Sequence, residues 1–424
     1  MKKLKKFLII TTSILLIIFG VGYFGLKYLQ HQLENKLVGC EIQNKNFYTS
    51  VPFDLVNNWI LVKVKVTDSD EKFPFIFDTG AQTVLLDSLL NIIGKEQYDS
   101  YSYKEDSTAS TNSFNNELIT LHNLIIEKIS FKNIGSISAK NSKWGMLNCV
   151  SPYGILGYNI LQTLYSQIDY EKKEIIFTDD INKLPNYNNI QWINYEPSIN
   201  QETPILKAII NDSIKISLFF DTGNSGGISL NSEKLYYKLA NDSNIKAKKF
   251  ISQPTIRIRG ESDSIQESIS FLASKFTLGD IAQTDVKINI TNSEEREFTG
   301  FIGNKFLKDF IITLDYKKQR IGFIKRKETT TQDSGYGINY VPQNGNIVIS
   351  SVYKNSKAYD LGIRPGDVVY SVNNILIKEL NSEDLCNIYR NEYQLQNAND
   401  SILDIEIVNE EMVKKYSIKK YKLY

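Results

Sequence analysis

Two copies of one tripeptide, Asp-Thr-Gly, are the residues of this chain best suited to chemistry. Each copy follows a run of bulky apolar residues, and with the next residue the two read Asp78-Thr79-Gly80-Ala81 and Asp221-Thr222-Gly223-Asn224. Two carboxyl groups about 3 Å apart can share one proton. The ionised partner takes a proton from water as the water attacks a carbonyl group, and the protonated partner stabilises the oxyanion. The two copies therefore predict hydrolysis by Asp78 and Asp221, without a metal ion or another cofactor.

The neighbouring residues suit the same chemistry. Gly80 and Gly223 allow a close backbone approach or a positive φ, which a carboxyl group on a sharp turn beside its twin requires. Thr79 and Thr222 supply hydroxyl groups that can cross-link the two turns. The structural alternative is that Asp and Gly are ordinary turn formers. Two copies at equivalent positions of a repeat make that interpretation the weaker one.

An internal repeat positions the two tripeptides. Four features recur in the same order at nearly the same spacing: a strand, a turn and a second strand (60–78 and 205–221), the tripeptide itself, an apolar-apolar-Gly segment (Ile155-Leu156-Gly157 and Phe301-Ile302-Gly303), and a final strand pair (167–177 and 313–323). Four matches in order predict a duplicated β-rich unit. We place lobe 1 at residues 48–184 and lobe 2 at residues 185–326.

The apolar-Asp-Thr-Gly turn followed by the apolar-apolar-Gly segment resembles the aspartic proteases of the pepsin and retropepsin type. The resemblance covers about residues 48–326. It implies a bilobal acid-protease β-fold that is active as a monomer, because both lobes lie in one chain, and that cleaves peptides or unfolded protein segments. It also implies that Asp78 and Asp221 are catalytic and that Thr79 and Thr222 form the interlocking hydroxyl contact.

The sequence departs from that family in two places. Ala81 matches retropepsin usage, whereas Asn224 matches neither type well; it can hydrogen-bond a carboxylate, but its bulk puts the second site in doubt. A clear flap motif is also missing. The candidates are polar stretches that suit an ordinary exposed loop equally well: residues 99–116, with Tyr101 and Tyr103, and residues 257–264.

A carboxy-terminal module is predicted at residues 335–424, after a charged, Thr-rich linker at 327–334. Its order of strands, with a helix at 382–393 that Ser382 can cap, is similar to the PDZ fold of bacterial envelope proteases. The resemblance implies that an extended peptide is added as a strand and that the loop Tyr336-Gly337-Ile338 binds its terminal carboxylate. The alternative is a module that only packs against the protease.

The amino terminus, residues 1–35, predicts a membrane anchor. Four of its first six residues are lysines, and residues 7–24 carry no charge, a stretch long enough for a helix to cross a hydrocarbon core. The basic residues should stay in the cytoplasm, so that a single-pass protein has its bulk outside, in the periplasm or the extracellular space. Secretion after cleavage of a signal peptide is the alternative.

Composition excludes several other classes. The chain has 49 Lys+Arg against 48 Asp+Glu, and this balance argues against a nucleic-acid-binding protein. Two His and three Cys are too few for a Cys-rich zinc module or a dense disulfide framework. The cysteines, Cys40, Cys149 and Cys386, cannot all pair within one chain, and Cys149 is expected to be a packing residue.

These patterns together predict a mainly β, membrane-anchored aspartic endopeptidase whose PDZ domain binds peptide or protein carboxy termini. The alternative is a catalytically inactive, protease-like scaffold that acts as an envelope peptide-binding adaptor through the PDZ domain. Asn224 and the missing flap motif favour the adaptor. A third possibility is a dormant enzyme that becomes active when the PDZ site is filled.

Overall fold

The computed structural model of the chain describes residues 38–66, 70–102, 117–150, 152–199, 202–253, 265–294, 297–326, 334–396, 399–409 and 412–422, together with residues 22, 23, 25 and 27. The predicted anchor lies almost entirely outside this set, and so do residues 327–333 of the predicted linker, Tyr103 and residues 257–264. Among the described residues, no helix has the length and apolar character needed to cross a membrane.

The described chain is mainly β. The first repeat unit contains β1 (Glu41–Ile42), β2 (Tyr48–Val56), β3 (Trp59–Val64), β4 (Phe73–Phe77), β5 (Val84–Leu86), α1 (Asp87–Ile93), β6 (Tyr98–Ser102), β7 (Glu117–Ile126), β8 (Ile129–Ala139), β9 (Gly154–Leu156), α2 (Tyr158–Leu161), β10 (Tyr165–Asp169) and β11 (Glu174–Thr178). Short 3-10 helices lie at Lys95–Gln97, Asn141–Lys143, Gly145–Val150 and Ile181–Lys183.

The second unit has a similar order of elements and contains two more strands. It contains β12 (Gln191–Asn194), β13 (Glu196–Pro197), β14 (Pro204–Ile210), β15 (Ile214–Phe220), β16 (Ile228–Asn231), α3 (Glu233–Ala240), β17 (Lys248–Ser252), β18 (Gln266–Ala273), β19 (Phe276–Leu278), β20 (Ile281–Gln283), β21 (Val286–Thr291), β22 (Gly300–Ile302), α4 (Asn304–Leu307), β23 (Phe310–Asp315) and β24 (Arg320–Lys325). Its 3-10 helices are Tyr187–Asn189 and Tyr316–Lys318.

The carboxy-terminal module follows. It contains β25 (Ser334–Gly335), β26 (Ile338–Gln343), β27 (Asn346–Tyr353), α5 (Lys357–Asp360), β28 (Val368–Val372), β29 (Ile375–Leu376), a 3-10 helix (Ile377–Glu379), α6 (Ser382–Tyr389), β30 (Ile402–Asn409), β31 (Met412–Lys419) and β32 (Tyr421–Lys422). The predicted cap of its main helix was off by one residue. Asn381 is the N-cap, because its side chain and that of Asp384 bond to each other's backbone N–H in a capping box.

One strand arrangement occurs in both units and places each Asp-Thr-Gly. The hairpins β3–β4 and β14–β15 each end in a strand that pairs parallel with a short strand, β9 or β22. That short strand also pairs antiparallel with β5 or β16, the strand after the tripeptide. The tripeptide therefore lies in a loop between two strands that share one neighbour.

A shared sheet joins the two units. The strands β12, β24, β23, β10, β11 and β2 lie side by side, and β10 of the first unit pairs with β23 of the second, with Ile168 opposite Ile312. One apolar cluster extends through both units. The two loops that carry the tripeptides consequently belong to a single packed body rather than to two independently mobile ones.

The carboxy-terminal module is joined to both units. Its strand β27 pairs antiparallel with β17 of the second unit, where Ile251 lies opposite Val352. A disulfide between Cys149 and Cys386 joins α6 to the first unit, and Cys40 is the free cysteine. The prediction that Cys149 is a packing residue is therefore wrong. Because 237 residues separate the two cysteines, nothing in the local sequence marks them as partners.

Candidate active site

The backbone brings Asp78 and Asp221 together across the boundary between the two units. The Asp78 N–H donates to the Leu156 carbonyl at 3.0 Å, and the Asp221 N–H donates to the Ile302 carbonyl at 3.1 Å. Their carboxyl groups are hydrogen-bonded to each other. The side-chain Oδ1 of Asp221 is buried and has no hydrogen-bond partner among the described residues. Unpaired buried polar atoms are rare in proteins, and each one calls for an explanation such as a catalytic role.

The two threonines cross-link the loops. The Thr79 hydroxyl donates to the Phe220 carbonyl at 2.9 Å and accepts from the Thr222 N–H at 3.1 Å. In return the Thr222 hydroxyl donates to the Phe77 carbonyl at 3.1 Å and accepts from the Thr79 N–H at 3.0 Å. Both threonines are fully buried. Each hydroxyl thus satisfies two backbone groups, and the four bonds fix the position of one loop on the other.

Each glycine lies very close to the aspartate of the other loop. A Cβ atom on Gly223 would lie 2.1 Å from Cγ of Asp78, and one on Gly80 would lie 2.8 Å from Oδ1 of Asp221. Neither glycine has a positive φ. Of the two reasons the sequence offers for glycine at these positions, close approach is therefore the one that applies.

The two carboxyl groups do not have equal proton affinities. Burial raises the pKa of Asp78 above its ordinary value of 3.8, although hydrogen bonds from the Gly80 N–H and from other nearby groups oppose that rise. Burial, the charge of Asp78 and the hydrogen bond to Asp78 raise the pKa of Asp221 well above 3.8. The pair therefore favours an ionised Asp78 beside a protonated Asp221, since two adjacent buried charges are costly.

The residues that follow the tripeptides have different roles. The backbone N–H of Ala81 is hydrogen-bonded to the Asp78 carboxyl group. The Asn224 side chain turns towards its own loop, where Oδ1 accepts from the Gly226 N–H at 2.8 Å. The hydrogen bond that sequence suggested between Asn224 and a carboxylate is absent from the described contacts. Its amide group instead stabilises a turn of the loop.

Asn304 is a functional candidate that sequence reasoning missed. It is fully buried, and its Nδ2 donates to the Thr222 carbonyl at 2.6 Å and to the Asn58 carbonyl at 2.8 Å. Its Oδ1 accepts from the Tyr170 hydroxyl at 2.7 Å. Asn304 therefore ties the second loop to the first unit. The available signal was its place directly after Gly303, in the second apolar-apolar-Gly segment.

The remaining predicted sites belong to segments other than the two loops that carry the aspartates. Tyr101 is in β6, which pairs with β7 as a hairpin stem whose tip, residues 103–116, is outside the described residues. In the carboxy-terminal module, Tyr336 and Ile338 are buried and Gly337 has a φ of 79°. A Cβ on Gly337 would lie 2.4 Å from Cβ of Ser356, so both space and backbone conformation require glycine there.

Removal of the Thr222 hydroxyl should destabilise the protein strongly. Thr222→Val leaves the Phe77 carbonyl and the Thr79 N–H without partners in a buried site, at about 1–3 kcal/mol for each group. We expect the free energy of unfolding to fall by about 2–4 kcal/mol in urea denaturation. The matched control, Thr222→Ser, keeps the hydroxyl and should lose less than about 1 kcal/mol. Equal losses in the two variants would contradict the cross-link.

Comparisons with known proteins identify one part of the chain. Residues 348–392 match the PDZ domain family. This part of the carboxy-terminal module is a PDZ domain. Among solved structures, the chain is similar to the crystal structure of Basic 7S globulin from soybean, with 10% identity over 66% of this chain and 95% of that chain and a TM-score of 0.41. A TM-score of that size does not establish a shared fold. A search of the curated proteins finds no match.

Proposed function

We propose that this protein is an aspartic endopeptidase that hydrolyses peptide bonds with a water molecule activated between Asp78 and Asp221. One observation carries the proposal: two buried, hydrogen-bonded carboxyl groups stand on equivalent cross-linked loops and differ in proton affinity. That is the arrangement in which one carboxyl group acts as base and the other as acid at the same pH.

The reaction follows from the two protonation states. Asp78, ionised, takes a proton from the water as the oxygen attacks the scissile carbonyl carbon. Asp221, protonated, hydrogen-bonds the carbonyl oxygen and stabilises the charge that develops on it. Asp78 then transfers its proton to the leaving amine, the carbon–nitrogen bond breaks, and the oxyanion re-forms the carbonyl of the carboxylic acid product. This leaves Asp78 ionised beside a protonated Asp221, as at the start. Thr79 and Thr222 hold the carboxyl groups within reach and touch no reacting atom.

Apolar side chains beside the carboxyl groups indicate the class of substrate. Phe219, two residues before Asp221, packs against Phe298 and Phe301, with ring centroids 4.7 and 5.7 Å away. Its ring edge lies 3.0 Å from a Cβ built on Gly80. We infer that the enzyme cleaves extended peptides or unfolded segments beside bulky apolar residues, because such side chains bury apolar surface against this cluster.

The PDZ domain and the cellular location complete the proposal. The PDZ domain would bind peptide or protein carboxy termini by strand addition. We place the protein at the cell membrane with its bulk outside the cytoplasm. The basic and then uncharged amino terminus supports this location, and so does the Cys149–Cys386 disulfide, because disulfides persist in oxidising compartments.

Digestion of a peptide library by residues 36–424 over a range of pH tests the activity. Cleavage should require one proton on the pair, so it should fall at low pH as Asp78 is protonated and at high pH as Asp221 loses its proton. Because both pKa values are raised, we expect both limbs of the profile above pH 3.8, the ordinary value for aspartate. A peptide mimic with a central hydroxyl group should bind in the same pH range. No cleavage and no binding of the mimic at any pH would favour the adaptor instead.

A further inference from the structure

The 3-10 segment Gly145–Val150 lies against both borders of the PDZ peptide groove. In a PDZ domain the peptide lies between a strand and a helix, which here are β26, directly after the Tyr336-Gly337-Ile338 loop, and α6. The segment approaches both of these elements to within 8 Å between Cα atoms. An added peptide strand would run about 5 Å from β26. The segment therefore lies within reach of the space that an added peptide strand would take.

Specific bonds hold the segment on α6. The Cys149–Cys386 disulfide links them, and Nη1 of Arg390 donates to the Cys149 carbonyl at 2.9 Å. Nearby, Nδ2 of Asn391 donates to Oδ1 of Asn57 at 2.7 Å. The first unit is thus joined to the α6 region by one covalent bond and by hydrogen bonds. Incidental packing between two domains would lack such specific bonds.

The opposite face of the segment belongs to the neighbourhood of the aspartates. Leu147 and Val150 pack in an apolar cluster with Trp144, Ile76 and Ile155. Ile76 is two residues before Asp78 and lies opposite Ile155 across the β4–β9 pair. Tyr389 of α6 packs against the same cluster. A shift of the segment consequently changes the apolar wall beside Asp78.

We propose that Gly145–Val150 is a built-in occupant of the PDZ peptide groove, and that a peptide with a free carboxy terminus displaces it and thereby moves the apolar wall beside Asp78. The second half of this statement rests on the proposed function. The disulfide keeps the segment at a high local concentration next to the groove, so that an external peptide has to compete with it. The partner is a polypeptide with a free carboxy terminus.

Peptide binding by residues 36–424 tests the occupancy without any need for cleavage. The probes are fluorescein-labelled decapeptides that end in Val, Leu or Phe with a free carboxylate, and the same peptides with amidated ends, measured by anisotropy. The Cys149→Ser/Cys386→Ser variant should bind the free-carboxylate peptides about tenfold more tightly than the wild type does. Cys40→Ser, which removes the free cysteine, is the matched control and should bind as the wild type does.

A second variant tests the same occupancy in case the double cysteine variant does not fold. Arg390→Ala keeps the disulfide and removes the bond to the Cys149 carbonyl, so it should bind the peptides two- to threefold more tightly. Equal affinities in the wild type and both variants, or no binding of any probe, would overturn the occupancy.

A separate measurement tests the coupling between peptide binding and the apolar wall beside Asp78. A saturating free-carboxylate peptide should change KM for a separate substrate at least threefold and leave kcat within twofold, because the wall moves while the carboxyl groups stay in place. An unchanged KM would overturn the coupling and leave the occupancy standing. If neither the wild type nor any variant cleaved a peptide, the proposed function would be refuted. The binding measurements would still test whether Gly145–Val150 occupies the groove.

Discussion

Asp78→Asn should abolish peptide cleavage, with kcat/KM falling by about four orders of magnitude or more. The variant removes the carboxylate that takes the proton from water, and general-base catalysis together with oxyanion stabilisation contributes about that much to rate. Asp221→Asn should have a loss of the same order, because the carboxyl groups act as one unit and their effects do not add. Steady-state cleavage of one library-derived peptide measures both.

The fold should survive these substitutions. Each carboxyl group has a raised pKa in the folded protein, so the stability it contributes is fully present below pH 3.8 and is lost as pH rises through the folded-state value. At neutral pH an asparagine removes a buried charge, and we expect a free energy of unfolding no lower than that of the wild type. Asp54→Asn, at an exposed ion pair with Lys63, is the control and should keep full activity. Activity above a tenth of wild type in Asp78→Asn would refute the mechanism.

Gly223→Ala should have the second largest effect, a loss of cleavage of about a hundredfold or more. The added Cβ would lie 2.1 Å from Cγ of Asp78, so the carboxyl group or the loop must shift by more than an ångström. Misplacement of a reacting group by about 1 Å costs about a hundredfold in rate. Gly80→Ala should be milder, because its Cβ would meet the carboxyl oxygen of Asp221 at the longer distance of 2.8 Å.

The same loop offers a matched control for this prediction. A Cβ on Gly227 would have no heavy atom within 4 Å, and its φ is not positive. Gly227→Ala should therefore cleave the peptide at the wild-type rate and unfold at the wild-type midpoint. If Gly223→Ala and Gly227→Ala lose the same activity, general sensitivity of the loop, and not approach to Asp78, would be the cause.

Much of this site could be predicted from the sequence because its parts are local and repeated. The residue types of Asp78 and Asp221, the apolar strand before each and the apolar-apolar-Gly segment after each lie in short stretches of chain, and a duplicated pattern confines them to equivalent places. The residues on the turns also follow from steric rules, since little else than glycine fits beside the opposite carboxyl group. The PDZ domain could also be predicted, because its order of strands and turns is a local pattern of the sequence.

Other parts could not be predicted, because pairwise contacts between distant segments leave no mark in the sequence around each partner. Asn304 is one asparagine among many until the fold buries it against Thr222 and Tyr170. Asn224 has the chemistry to reach a carboxylate, and the geometry of its loop turns it to the Gly226 N–H instead.

The sequence by itself indicated the aspartate pair, the repeat and the PDZ domain, because each is encoded in local residue types and spacing. Only the tertiary structure decided how the PDZ domain is attached. The β17–β27 pairing and the Cys149–Cys386 disulfide join segments about a hundred and more than two hundred residues apart, and such contacts depend on how the whole chain packs. They join the carboxy-terminal module to both repeat units, and the proposed coupling between peptide binding and cleavage depends on them.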